Sequence, residues 1–314
     1  MKKALKISAI VIGLLLLVII ALPFLFKGKI QKTVQSEINK NLNAVVTFDG
    51  VGLSLIRHFP DLTVKVKNLV VKGTGDFSAD TLASVPGLSL TLDLASVFGG
   101  SEYKVKQIDL KAPRFLFKVL KNGKVNWDVM KPSATADTVS TPSTFKVYLN
   151  KVSISDMRMV YDDAEIPTML SLDGLTGTMS GDMTADITSL DIKAVVKDIT
   201  ADYDGIRYMS KTTGEITTLL NANLTTWTFT FKDGNLRLND LNIKADGFFA
   251  MPDNGYTMDI KFAAKENTFK AFLSLIPAIY AKDFENVKTS GTMAFDGFVK
   301  GLYNDVSIPA FAVN

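Results

Sequence analysis

The chain has no cysteine and a single histidine among its 314 residues, and its charge is nearly balanced, with 35 Lys and Arg against 32 Asp and Glu. The missing thiols exclude disulfides, thiolate metal sites and a lipid-modified N-terminal Cys. They leave the compartment open. The spread of charge, without basic clusters, gives no footprint for nucleic acid. His58 stands alone in Leu55-Ile56-Arg57-His58-Phe59-Pro60, so a zinc site or a Ser/His relay would have no second imidazole to draw on. It reads as a structural or surface side chain. Asp162-Asp163 and Asp202-Tyr203-Asp204-Gly205 match no calcium loop and sit where polar turns are expected. No Gly-rich loop leads into a helix to cradle phosphate. The residues therefore assemble no catalytic centre and call for no metal or cofactor.

What the chain does have is a long apolar run. Ile7 to Phe26 is uncharged, broken only by Ser8, Gly13 and Pro23. Twenty helical residues rise about 30 Å, the thickness of a bilayer's hydrocarbon core. The run is longer than a signal-peptide core, and no small-x-small cleavage site follows it. It reads as an uncleaved single-pass anchor, with Ile7, Leu14, Leu17, Ile20 and Phe26 among its membrane residues. Lys2, Lys3 and Lys6 on one side balance Lys27, Lys29 and Lys32 on the other, so charge does not orient it. Beyond it, Ile30, Val34, Ile38 and Leu42 recur every fourth residue, the stripe of an amphipathic helix that packs on the next strands or lies on the membrane.

From Val45 onward the period is two, the mark of strands with one apolar and one polar face. A slip recurs in it. Val64 and Val66 are followed by Leu69 and Val71; Val147 and Leu149 by Val152 and Ile154; Leu236 and Leu238 by Leu241 and Ile243. Partial copies surround Lys106-Gln107 and Lys197-Asp198. A one-residue slip turns every later side chain to the wrong face unless a bulge absorbs it. The spacing predicts bulges at Lys67-Asn68, Lys106-Gln107, Asn150-Lys151, Lys197-Asp198 and Asn239-Asp240, with tight turns as the alternative, in a strongly twisted sheet. Turn signals at Gly73-Thr74-Gly75, Gly99-Gly100, Asn122-Gly123, Asp173-Gly174, Asp233-Gly234 and Asn254-Gly255 predict an antiparallel meander. Residues 131–144, rich in Ser, Thr, Pro and Ala, read as a linker. They divide an anchor (1–28) and a proximal β unit (29–130) from a second β unit (145–314). Thr268 is placed to cap a helix over 268–281, with Phe269, Phe272, Leu273, Ile276, Ile279 and Tyr280 at helical spacing and a kink at Pro277.

A sheet with one apolar face must cover it. Two short helices are little cover for so long a chain of strands, and a face left open is a partner interface or an apolar groove. Next to a bilayer, such a groove points to acyl chains.

The order of short motifs carries a resemblance. After the anchor come Asn43-Ala44-Val45-Val46-Thr47-Phe48, Val51-x-Leu53-Ser54, Phe59-Pro60-Asp61-Leu62 and Phe77-x-x-Asp80-Thr81-Leu82. Pro113-Arg114-Phe115 then leads to Asn122-Gly123-Lys124-Val125-Asn126-Trp127-Asp128. Taken with Phe231-Lys232-Asp233, Leu273-Ser274-Leu275-Ile276-Pro277-Ala278 and Ile308-Pro309-Ala310-Phe311, the chain resembles the AsmA family in its Bacteroidetes-type form. The resemblance implies a mainly β fold: an elongated, twisted antiparallel sheet forming a β-groove, with an N-terminal transmembrane helix and a few amphipathic helices. It implies an inner-membrane anchor with the body in the periplasm, and kinship with TamB-like and chorein-like lipid-conducting bridges. It carries no catalytic residue. Such proteins are usually longer, so a chain of this length is expected to be a fragment or a short member, and not to cross the periplasm alone. The groove-facing residues expected from the repeated pattern are Val64, Val66, Leu69, Val71, Val147 and Leu149. The expected partners are the bilayer and phospholipid, and in the alternative reading envelope proteins bound at sheet edges.

Overall fold

In the computed structural model, the described residues are 42–55, 58–99, 103–131, 145–183, 186–275, 290–304 and 306–314. The Ile7–Phe26 run with Ile7, Leu14, Leu17, Ile20 and Phe26, the stripe up to Ile38, residues 132–144 and the second half of the 268–281 helix lie outside them. Among the described residues, no helix is long and apolar enough to cross a membrane.

The strands are β1 (Val45–Thr47), β2 (Gly50–Ser54), β3 (Leu62–Lys72), β4 (Thr81–Leu92), β5 (Tyr103–Lys111), β6 (Arg114–Val119) and β7 (Phe145–Asp163). They continue as β8 (Thr168–Ser180), β9 (Ile187–Tyr203), β10 (Ile206–Asn223), β11 (Thr228–Leu238), β12 (Leu241–Ala250), β13 (Tyr256–Thr268), β14 (Thr292–Tyr303) and β15 (Ala310–Val313). Among the described residues, two short α-helices interrupt them, α1 (Leu94–Gly99) and α2 (Phe269–Leu273), with one 3-10 turn at Gly75–Phe77. All the strands belong to one sheet, ordered β1-β3-β4-β5 and then β7 to β15 in sequence, with β2 also on β3 and with β6 between β4 and β7. Strands on either side of residues 131–144 thus hydrogen-bond to each other.

The sheet is mixed, which corrects the all-antiparallel expectation. β7 runs parallel to both β5 and β6, from Tyr103 opposite Phe145 to Val119 opposite Asp163. β5 and β6 form one lane broken at Ala112-Pro113, so β7 starts where that lane starts. The chain must travel back the length of the lane between Val119 and Phe145, and a parallel neighbour needs such a crossover rather than a tight turn.

The slips in the sequence are real, but they take three forms. Around Lys106 the β5–β7 register jumps from Val105 opposite Val147 to Gln107 opposite Lys151, so one shift accounts for two of the expected bulges. At Lys197-Asp198 the β9–β10 register shifts between Thr212 and Gly214. At Lys67-Asn68 the β3–β4 register is the same on both sides, and the phase is reset by Asn68 in a left-handed conformation (φ 51). Asn239-Asp240 is instead the two-residue turn joining β11 to β12. Conversely, Asp173-Gly174 and Asp233-Gly234, expected as turns, lie inside β8 and β11. The left-handed backbone that makes Asx-Gly a good turn serves a bulge equally well: Gly174 has φ 68 and Asp233 φ 50.

These positions line up. Asn68, Ala112 (φ 47), Asp156 (φ 52), Gly174, Lys211 (φ 51) and Asn239 (φ 51) follow the register from β3 to the β11–β12 turn. They form a transverse line along which each strand slips phase by one residue. Because the strands slip together, the apolar residues on the two sides of the line remain on one face. Val85, Pro113, Met157 and Leu241 are buried beside this line. Another small core is Leu241 with Ala264 and Ala271, backed by Ile243, Leu275 and Phe295. There Thr268 caps α2 as expected, its hydroxyl accepting the Ala271 N–H at 3.1 Å.

Candidate functional site: the half-open apolar face

Below the line, one row of directly opposed residues crosses nine strands. It runs from Val66 through Leu88, Leu110, Ile154, Gly177 and Ala194 to Ile216, Leu236 and Ile243. A second row joins Val64, Leu90, Ile108, Val152, Met179 and Ile192. Above the line, Val71, Ala83, Phe115, Met159, Leu172 and Ile199 are opposed in the same way. In the two lower rows every residue is half-buried except Ile216, which is exposed. Among the described elements, extensive packing is confined to hydrogen-bonded neighbours, apart from α1 on β5 and α2 on β13. The half-burial therefore comes from cross-strand neighbours within the layer, and no described second layer seals the face.

Four of the six residues expected to line a groove belong to this surface. Val64 and Val66 lie in the two lower rows, and Leu69 and Val71 beyond the slip at Asn68; all four are half-buried. Val147 pairs with buried Val105. Leu149 falls in the stretch of β7 that the register skips, outside the rows. Sequence reading missed Ile216 because β10 reads Thr212-Thr213 and Thr217-Thr218 around it, which blurs the alternation. It also missed the continuation through Leu220, Phe231, Ile260 and Val299 to Phe311, where the only signal was alternation within each strand.

The other face is polar. Lys65, Ser89, Asp109, Ser153, Thr178, Lys193 and Thr217 oppose one another in a parallel row. A cavity of about 830 Å³ opens against this row, its lining also taking in Leu110, Ile154, Gly177, Ala194 and Ile216 of the apolar row. A twisted sheet is saddle-shaped and is hollow along one diagonal on each face, so a hollow on the polar side does not flatten the other.

The charged groups serve the framework. The Lys106 ammonium lies 2.8 Å from Asp61 and 2.9 Å from Asp93, while Asp93 also accepts the Ser96 N–H at the start of α1. Hydrogen bonds to both carboxylates raise the Lys106 pKa, and its ammonium holds Asp93 below the usual carboxylate range. The Tyr161 hydroxyl donates to Asp163 at 2.6 Å, which pushes the phenol up to about 12 and lowers the carboxyl. Asp163 also accepts the N–H groups of Glu165 and Ile166, so it builds the β7–β8 turn. Asp202, paired with Arg207 across the β9–β10 turn, is likewise lowered. His58 shares a 3.0 Å hydrogen bond with buried Thr63. Among the described residues, no three His, Asp or Glu side chains converge to hold a metal ion.

The Asn126-Trp127 pair is structural too. Buried Asn126 accepts the Lys118 N–H at 2.9 Å and donates to the Leu116 carbonyl at 2.8 Å. It ties the turn after β6 back onto that strand. Trp127 packs edge-on against Phe117 and beside Tyr161.

The fold and the site define a large, essentially single-layer β-sheet protein whose distinctive surface is an open apolar face. A model of the AsmA family matches residues 1–180, and the chain belongs to that family. A search of curated proteins found no match.

Proposed function

We propose that this AsmA-family protein is anchored in the bacterial inner membrane by Ile7–Phe26, with its sheet in the periplasm. There it binds phospholipid in outer-membrane biogenesis, laying acyl chains along the apolar rows while headgroups stay hydrated. The observation that carries the reading is the half-buried rows through Val66 and Ile154, which no described element covers. Each methylene removed from water there contributes about 0.8 kcal/mol. The reading needs no catalytic step and no cofactor.

Photocrosslinking in cells tests it. A benzophenone amino acid at Val66 or Ile154 is expected to yield phospholipid adducts, and one at Lys65 or Ser153 on the polar face none. Absence of lipid adducts at the two apolar positions overturns the reading. A second reading, an envelope assembly factor that binds protein, is favoured by one feature. β15 lies at a sheet edge with Phe311 74% exposed, and such edges can pair with a client strand. It predicts protein adducts from Phe311.

A further inference from the structure

Several turns at one end of the sheet are stitched into a continuous edge. The Asn43 N–H donates to Val129 O at 2.7 Å, Ala164 N–H to Val119 O at 3.0 Å, and Asp204 N–H to Pro167 O at 2.8 Å. This edge exposes Val45, Trp127, Met130, Ile166, Tyr203 and Tyr208, with Met130 67% and Ile166 57% exposed. Leu42, which bridges to Met130, brings the chain onto the sheet at this same end. Only 15 residues separate it from Phe26, a reach of at most about 50 Å fully extended and about 22 Å if helical.

We infer that this edge seats in the bilayer interface, so that the sheet stands on the membrane with its strands rising from it. The inference rests on the reading of Ile7–Phe26 as an anchor, and it adds which end of the sheet meets lipid and through which residues. Tryptophan and tyrosine suit that depth, having an apolar body and a polar tip. Charge does not drive the contact, because Asp162, Glu165, Asp202 and Asp204 stand among Lys121, Lys124 and Arg207. The opposite end exposes the same kinds of side chain, Ile187, Trp227, Tyr256 and Tyr303 among them, so the choice of end rests on where Leu42 brings the chain onto the sheet. The end away from Leu42 provides the control.

Because the chain lacks cysteine, a spin label can be placed at one site at a time. The full chain carrying I166C, M130C or I187C is reconstituted into phosphatidylcholine vesicles. Collision of each label with oxygen, which concentrates in lipid, is compared with collision with a water-soluble nickel chelate. The oxygen-to-nickel ratio is expected to be several-fold higher at positions 166 and 130 than at 187. Flotation with the vesicles reports anchoring separately. A floating chain whose labels at 166 and 130 are as aqueous as that at 187 overturns the seating alone, as does a lipid-like signal only at 187. A chain that does not float overturns the anchor and the seating together.

Discussion

An acidic substitution in the apolar rows separates an open face from a sealed core. Ile154 sits mid-row between Leu110 and Gly177 and is half-buried, whereas Val85, beside the transverse line, is only 3% exposed. Fully burying an isoleucine side chain is worth roughly 1.5–3 kcal/mol, so half-burial puts about 1 kcal/mol at stake in Ile154→Asp. The poor fit of Asp to strands adds up to about 1 kcal/mol. Water reaches the new carboxylate, so no large desolvation cost follows, and the total is about 2 kcal/mol. In Val85→Asp the charge has neither water nor partner, which costs about 3–5 kcal/mol before the lost apolar burial. Urea unfolding of the two variants in nanodiscs, followed by circular dichroism, measures the gap. The Ile154→Asp midpoint is expected moderately below that of the parent chain, and the Val85→Asp midpoint far below both. Equal, severe losses would mean that the rows are sealed, and the open-face reasoning would fail.

Three further outcomes follow from the framework. Asn126→Ala strands the Lys118 N–H and the Leu116 carbonyl, each costing about 1–3 kcal/mol where buried; a loss of about 2–4 kcal/mol is expected in the same denaturation assay. At Ala112, whose left-handed backbone costs a β-carbon about 1–2 kcal/mol, Gly is expected to raise the melting temperature slightly and Val to lower it clearly. Stability against pH is set by two kinds of group. Asp93, Asp163 and Asp202 all titrate below their ordinary value of 3.8 in the folded chain. Their contribution is present above that value and is lost as pH falls through the depressed ones. Lys106, raised above 10.5, contributes fully below 10.5 and loses its contribution as pH climbs through the raised value. A flat plateau of melting temperature between these limits is expected, and Lys106→Met should shrink the acid-side fall that comes from Asp93.

Strand identity was plain from the sequence because alternation is a local property, and so was the capping of α2 by Thr268. The slips were visible as three-residue steps, as in Val66 to Leu69. Whether a step is a bulge or a turn depends on what lies opposite, which is not local: Asn239-Asp240 closes a turn because Leu238 meets Leu241, whereas Asp173-Gly174 bends a strand whose neighbours continue on both sides. The parallel placement of β7 was hidden for the same reason. Nothing in Phe145–Asp163 states which end of the β5–β6 lane it starts from. Of the apolar surface, the β3 residues were legible because Val64 and Val66 alternate cleanly before the step, and Leu69 and Val71 after it. The rows they join were not, since row membership is fixed by register between strands and not by spacing within one.

A sheet with one face unsealed still needs somewhere to bury side chains, and the transverse line supplies it. Left-handed residues bend and twist the strands they interrupt, which draws the side chains beside the line together. Val85, Pro113, Met157 and Leu241 are buried there although no described second layer lies on top of the first three. The rows to either side stay half-open because the backbone beside them keeps its regular alternation. The phase slip thus does two jobs with one distortion. It keeps the apolar residues of the strands from β3 to the β11–β12 turn on one face, and it gathers into a narrow seam part of the packing that a second layer would otherwise supply. If the seam were lost, as through Val at Ala112, the strands would lose phase and packing together. The open rows can remain open because the seam does not depend on their being covered.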